Sequence, residues 1–480
     1  MKRYRLFDLG HPTRHSWSLQ RMLWTSTMCF WGIVMFTMWF GMNSDRDNVH
    51  PLITQMIPAG HCTCQTSTTF QCADCLTCLA SSAPSPAENE HQQHQQQSAL
   101  SRWRFEYGRD DRNMGLGREQ CHSAFPGLFQ DVVRAGDYWR AQGGITKEDL
   151  DAVSLEPGMA RAIIQHGELY IVAARAKNDD HRRKILAALS SMYRALTASP
   201  ERATETIEFI FSVEDRVDDV YGGSHPIWVL ARKASEQSAW LMPDFGFWAW
   251  EHWRQHIGPY SQAVDRVRDM ESQLGFEDKE KKLVWRGKLS FAPKLRRALL
   301  DTARNETWSD VKALDWSSKE NCMSLEDHCR YKFIAHVEGR SYSASLKYRQ
   351  ACRSVVLAHK LQFIQHYHYL LVSSGPQQNY VEVERDFSDL PSKMNQLLQN
   401  PRAAERIADN NVRTFRERYL TPAAEACYWR ALWDEYKQVS NATDSLSRMG
   451  KPAVERGLRF ESFSLLESSE MMNYYHVHQL

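Results

Sequence analysis

Between residues 184 and 196, Ile185, Leu186, Leu189, Met192 and Leu196 recur at intervals that put them on one helical face. This predicts an amphipathic helix ended by Ser199-Pro200. The run Ile207-Glu208-Phe209-Ile210-Phe211-Ser212-Val213 then reads as a buried strand, and a helix feeding a strand in this way predicts an α/β layer. The second half repeats the style with different residues. Short strands are expected over 283–285, 332–336, 352–357 and 380–383. A helix is expected over 389–398 with Ser388 or Asp386 as its cap, and further helices over 403–418 and 422–439. No period is visible after Ser440, which predicts an irregular tail.

A different pattern governs the start of the chain. Residues 22–44 carry no charged side chain, and Lys2, Arg3, Arg5, Arg14 and Arg21 precede them against the single acid Asp8. About 20 apolar residues span a bilayer as a helix, and the basic flank predicts a cytoplasmic N-terminus with a lumenal remainder. A cleaved secretory signal is the alternative. Residues 79–100, rich in Ser, Pro, Gln and His, cannot bury enough apolar surface to fold and read as a spacer. Globular character begins near Trp103.

Composition narrows the function classes. The 480 residues suffice for two domains. A net charge of +1 gives no reason to expect a nucleic-acid partner. Sixteen Trp are a high count, most expected in the core, although sugar-handling enzymes also present aromatic faces to sugar rings. Of the eleven Cys, Cys62, Cys64, Cys72, Cys75 and Cys78 lie close together, and Cys121, Cys322, Cys329, Cys352 and Cys427 are spread through the rest. In an oxidising lumen these are disulfide candidates, with zinc at Cys72-x-x-Cys75-x-x-Cys78 and His61 as the alternative. Two sequons, Asn305-Glu306-Thr307 and Asn441-Ala442-Thr443, accord with a lumenal location.

Candidate chemistry lies where strands end. Asp215 follows the strand that closes at Val213, placed to take a proton from an attacking hydroxyl, and Glu214, Asp218 and Asp219 are neighbours of the same type. Arg286 ends the Val284-Trp285 strand, with Gly287 permitting close backbone approach; its guanidinium fork suits a diphosphate, or a structural ion pair. The densest stretch is Asp327-His328-Cys329-Arg330-Tyr331-Lys332-Phe333 followed by Glu338-Gly339-Arg340-Ser341-Tyr342-Ser343. It groups carboxylate, imidazole, basic and hydroxyl side chains around a glycine. No GxGxxG loop, GxSxG elbow or HExxH motif is present.

From about Trp103 to Tyr436 the chain resembles the family 90 glycosyltransferases, the group that includes fungal capsule-associated xylosyltransferases and animal protein O-glucosyltransferases. The fungal members are the nearest in style. The resemblance rests on 121–129 (CHSAFPGLF), 207–215 (IEFIFSVED), 242–250 (MPDFGFWAW), 282–287 (KLVWRG), 325–333 (LEDHCRYKF), 337–348, 374–383 (SGPQQNYVEV), 385–390 (RDFSDL) and 414–430 (TFRERYLTPAAEACYWR). It implies an α/β enzyme of the GT-B class, with two Rossmann-like lobes facing a cleft. Such enzymes move a sugar with inversion from a UDP-sugar, here UDP-xylose or UDP-glucose, to a hydroxyl of a glycan or glycoprotein, with no metal and no further cofactor. The implied base is Asp215. The implied donor-binding residues are Arg286, Gly287, Asp327, His328, Glu338, Gly339, Arg340, Ser341, Ser343 and Lys347.

The implied organisation is a tail over 1–21, a membrane anchor over 22–44, a stem over 45–102 and a catalytic-base lobe over 103–268. A donor lobe follows over 269–415, then a returning helix over 416–440 and a flexible tail over 441–480, all in the Golgi or ER membrane. One departure stands out. The family pattern Gly-Arg-Leu-Lys-Tyr is here Ala344-Ser345-Leu346-Lys347-Tyr348, so an arginine expected on the diphosphate is a serine. Either Arg340 or Arg349 compensates or donor binding is weaker. A catalytically silent lumenal glycan-binding protein with the same fold is the rival reading.

Overall fold

The computed structural model describes residues 103–201, 206–215, 225–252, 255–315, 317–442 and 456–467. The expected anchor over 22–44, the clustered cysteines at 62–78 and the spacer over 79–100 lie outside these residues. No helix among the described residues is long and apolar enough to cross a membrane.

The first half is built on a six-stranded sheet. Its strands are β1 (Met159–Gln165), β2 (Glu168–Arg175), β3 (Ile207–Ser212), β4 (Ile227–Val229) and β5 (Trp240–Leu241), completed by β11 (Leu458–Arg459) in the order β11-β2-β1-β3-β4-β5. The β3-β4-β5 pairs are parallel, but β1 runs antiparallel to both β2 and β3. The expected Rossmann-like lobe is therefore a mixed sheet, because a tight hairpin at His166-Gly167 replaces a helical crossover between β1 and β2. Helix α3 (Asp179–Thr197) follows the hairpin and packs Ile185, Leu189, Met192 and Leu196 inward, as the 184–196 period predicts.

The second half holds a five-stranded sheet in the order β7-β6-β8-β9-β10, all parallel. The strands are β6 (Glu280–Gly287), β7 (Ser309–Ala313), β8 (Tyr331–His336), β9 (Val355–His359) and β10 (Val381–Val383). Helix α4 (Tyr260–Glu271) precedes the sheet, α5 (Pro293–Thr302), α6 (Leu325–His328) and α7 (Leu346–Ala351) lie between its strands, and α8 (Leu390–Gln399) and α9 (Pro401–Asn411) follow. Parallel strands buried on both faces read as continuous apolar runs, which is why these segments were visible in the sequence. The strand expected over 352–357 is shifted to 355–359, because Cys352 closes α7 and bonds to Cys329. Neither Ser388 nor Asp386 caps α8; Asp389 is its N-cap, while Asp386 accepts from the Ser388 N–H outside the helix.

After α9 the chain winds through a π-helical stretch, Val412–Tyr419, into α10 (Pro422–Val439), which returns to the first sheet. The Tyr428 hydroxyl donates to Leu241 O and that of Tyr436 to Glu208 O, while Trp429 Nε1 donates to Ser191 on α3. Disulfide Cys121–Cys427 ties α10 to the short helix α1 (Arg118–Ala124) across 306 residues of sequence. Most described tryptophans are core: Trp228, Trp240, Trp285 and Trp429 are fully buried, and Phe209 stacks on Trp228 with ring centroids 3.9 Å apart. Part of the tail expected to be irregular is ordered. Helix α11 (Phe460–Glu467) buries Phe460 and Phe463, and Arg456 pairs with the fully buried Glu208. Two aromatic anchors and one ion pair are too few to make a period.

Candidate functional site

All five strands of the second sheet point the same way, so their carboxyl ends converge, and ligands of open α/β sheets bind beyond such ends. Arg286 is at the end of β6, His336 at the end of β8 and His359 at the end of β9. Two arginines from neighbouring helices enter the same region, Arg296 from α5 and Arg349 from α7.

These groups form a cationic cluster short of anions. Arg296 and Arg349 are almost fully buried, and among the described residues neither pairs with a carboxylate. Arg296 donates to the carbonyls of Glu338 (3.1 Å) and Lys288 (2.6 Å), and Arg349 meets His336 Nδ1 at 2.8 Å. Burial pulls the Arg296 guanidinium down to about 10. Burial, with repulsion from Arg296, pulls Arg349 down to about 9. His336 is held well below its ordinary value by burial and then by the charges of Arg349 and its neighbours. His328 falls to about 4, by burial first and then by Arg349. Buried charge without a partner is costly, and groups perturbed this way gather at functional sites.

Arg286 is partly committed. It bonds Asp310 Oδ2 at 2.8 Å and donates to the Asp310 and Trp285 carbonyls, but its buried Nε has no partner among the described residues. Burial works to raise Asp310. Hydrogen bonds from Tyr331, Arg286 and Lys312 outweigh it and hold this carboxyl well below the usual range. The strand-end arginine thus makes the structural ion pair, one of the two roles its position allowed, with its Nε–H left over among the described residues.

The first sheet meets this region through two links. The Ser341 hydroxyl donates to the backbone carbonyl of Asp215, which follows β3. The Asp215 carboxylate accepts no hydrogen bond among the described residues, and its charge opposes ionisation of buried Tyr342, after burial and Asp244. Its neighbour Glu214 is occupied by an ion pair to His181 at 2.6 Å, which lowers its pKa. Asp218 and Asp219 lie outside the described residues. The second link is a buried ion pair: Lys347 reaches Asp244 at 2.7 and 2.8 Å and donates its third proton to Ala344 O.

Several expected donor contacts are placed differently. Lys347 has all three N–H groups engaged inside the protein. Glu338 is a clamp: Oε1 accepts from the backbone of Gln362 and Phe363 and Oε2 from Arg385, fixing the segment after β9. Asp327 stays on α6 with Ser324 and Arg330, half-buried, while the adjacent buried His328 lies within reach of the Arg349 charge. Gly287 is required by crowding from its own strand, since a Cβ there would lie 2.3 Å from the Trp285 ring. Gly339 lets the chain pass over Arg296, 3.6 Å from where its Cβ would be. Arg340 is exposed and covers Phe291. Ser343 shares a 2.9 Å hydrogen bond with Ser345.

Sequence reasoning missed Arg296, His336 and His359 as site groups, and Asp244 as the partner of Lys347. Arg296 lies in Lys294-Leu295-Arg296-Arg297, which resembles any solvated helix face. His336 and His359 carried one signal, a polar residue ending an apolar strand. Among the described residues no cluster of three His, Cys, Asp or Glu side chains is arranged to hold a metal ion.

The carboxyl ends of the parallel sheet thus gather Arg286, paired with Asp310, and Arg296 and Arg349, which pair with no carboxylate among the described residues, and Ser341 links this region to Asp215 after β3. The match to glycosyl transferase family 90 covers residues 118–450, and the chain belongs to that family. It is also similar to Protein O-glucosyltransferase 1 of Rattus norvegicus, 23% identical over 43% of this chain and 55% of that protein. Protein O-glucosyltransferase 3 of Rattus norvegicus is 28% identical over 29% of this chain and 28% of its own length. The O-glucosyltransferase rumi homolog of Aedes aegypti is 25% identical over 41% and 52%. The chain thus spans about half, or less, of the length of these curated relatives.

Proposed function

We propose that this protein is an inverting, metal-independent glycosyltransferase that moves glucose or xylose from a UDP-sugar to a hydroxyl of a glycan or glycoprotein. In this reading the two sheets are the two lobes of a GT-B enzyme. The observation that carries it is the pair Arg296 and Arg349, buried with no carboxylate partner among the described residues, in the region that Ser341 links to Asp215.

Asp215 accepts the proton of the acceptor hydroxyl as that oxygen forms its bond to the sugar's anomeric carbon. The bond from that carbon to the diphosphate oxygen breaks, and its electron pair leaves with UDP. The negative charge that develops falls among Arg286, Arg296 and Arg349, with His328 and His336 as neutral hydrogen-bonding groups. Fixed cations in a desolvated site stabilise such a leaving group without reorganising. Arg349 supplies the charge that Ser345 lacks. Glu338, Gly339, Ser341 and Ser343 shape the loop over the phosphates, Lys347 with Asp244 holds the lobes in register, and Asp327 anchors α6. Two disulfides among the described residues support an oxidising compartment, in keeping with an ER or Golgi lumen and an anchor over 22–44.

The test is UDP release and product formation by the full chain with UDP-glucose and UDP-xylose. Asp215→Asn removes a base worth about 10²–10⁴ in rate, while Asp218→Asn retains activity. Failure of every UDP-sugar to raise the melting temperature or to turn over would sink the reading. Binding of UDP without turnover would instead favour a silent glycan-binding protein, the case that Ser345 keeps open.

A further inference from the structure

We propose that Asn305 carries an N-linked oligosaccharide, and that this glycan sits on the outer edge of the five-stranded sheet, away from the proposed donor cleft. The glycan assignment does not rest on the transferase reading; its placement relative to the cleft, and the turnover readout, do.

Asn305 begins the sequon Asn305-Glu306-Thr307 in the turn between α5 and β7. Both Asn305 and Thr307 are exposed, and among the described residues the Asn305 side chain makes no hydrogen bond. Its φ is +63°, a left-handed conformation that asparagine tolerates and that marks a tight turn. Trp308, directly after the sequon, is buried and pins the tripeptide against the fold. An acceptor amide is therefore presented outward on a fixed stalk. Both disulfides, Cys121–Cys427 and Cys329–Cys352, are independent support for the compartment in which such modification occurs.

Topology places the glycan. β6 and β7 are parallel, with Ser309 beside Leu283 and Lys312 beside Arg286. α5 carries the chain from the carboxyl end of β6 back to the amino end of β7. Asn305 precedes that amino end, while the cationic cluster is at the carboxyl end, on the order of 10 Å or more along the strand at about 3.3 Å per residue. β7 is the outermost strand, paired among the described residues with β6 alone. Open edges invite pairing with other chains, and a bulky polar group beside one hinders that.

The second sequon differs. Asn441 is exposed but lies close to another backbone: its N–H is bonded to Ile145 O and its amide nitrogen lies 2.9 Å from where a Cβ on Gly144 would sit, while Thr443 lies outside the described residues.

In the transfer, Asn305 Nδ2 bonds to the first sugar's anomeric carbon. That carbon releases its lipid pyrophosphate, which leaves with the bonding electrons, and the amide loses one proton. The co-reactant is the cell's own lipid-pyrophosphate-linked oligosaccharide. The experiment is expression of the full chain in a eukaryotic secretory host, with peptide mass mapping before and after an asparagine-specific amidase. The expected result is a glycan on the Asn305 peptide, removed by the amidase and lost in both Asn305→Gln and Thr307→Ala. UDP-sugar turnover by Asn305→Gln is unchanged, while its share of higher-order species on size exclusion rises. An unmodified Asn305 peptide, or modification at Asn441 alone, overturns the assignment. A glycan at Asn305 whose removal halves turnover or more overturns its placement away from the cleft, and an unchanged size profile overturns the edge-shielding role.

Discussion

Two buried cationic centres in this protein differ in one respect. Lys347 is buried beside Asp244, with every donor satisfied inside the chain. Arg296 and Arg349 are buried almost as deeply, yet among the described residues they meet carbonyls, an imidazole and the Trp285 and Phe291 rings, and no carboxylate. A buried charge with its counter-charge is structure; a buried charge without one is a place kept for a ligand's charge. The family's lysine and the arginine absent at position 345 both seemed donor-facing in the sequence. The fold assigns the lysine to the lobe contact and brings Arg349 to the strand ends.

The sharpest way to break this contrast is to remove one member of each centre. Lys347→Met leaves the Asp244 carboxylate buried and alone. It should cost about 3–5 kcal/mol of stability, read as a lower denaturation midpoint, and Lys347→Met with Asp244→Leu should recover much of it. Arg349→Met should do the reverse, with stability held or raised and UDP affinity falling. A charge-assisted hydrogen bond is worth about 1.5–3 kcal/mol, so the loss is on the order of 10- to 150-fold by calorimetry. Equal destabilisation by the two single variants would erase the distinction.

Proton titration sharpens it further. Arg349 and Arg296, drawn down to about 9 and about 10, lose their charge at a pH where ordinary arginine keeps it. UDP affinity should therefore decline as pH rises through about 9, with no such decline in Arg349→Met. At the acid end His328, at about 4 in the fold and 6.5 as a free side chain, stays neutral while the unfolded chain takes up a proton. Its contribution to stability is present above pH 6.5 and is lost as pH falls toward 4, at up to about 1.4 kcal/mol per pH unit. Thermal melts of His328→Gln should show a shallower acid slope. The smallest effect is expected from Ser345→Arg: with Arg349 already in place, UDP binding should tighten by less than about tenfold, about 1.4 kcal/mol.

What could be read in advance follows from the range of the interactions involved. The parallel strands were visible because burial on both faces imposes apolar runs, and Asp215 because it directly follows one. The antiparallel β1-β2 hairpin was not, since its period competes with the bulk of an otherwise buried segment. The ordered tail at 456–467 depends on Phe460, Phe463 and Arg456 finding partners far away in sequence, and leaves no local mark.

The family, the carboxylate after β3 proposed as the base and the concentration of polar groups after β8 were set by the order of residues, because each is local to a few positions along the backbone. Which cations are left without a carboxylate among the described residues and which are spent on ion pairs was decided only in three dimensions. Lys347, Arg349, Asp244 and Arg296 come from separate elements, and a charge's role depends on whether an opposite charge lies within a few ångströms, which linear spacing does not specify.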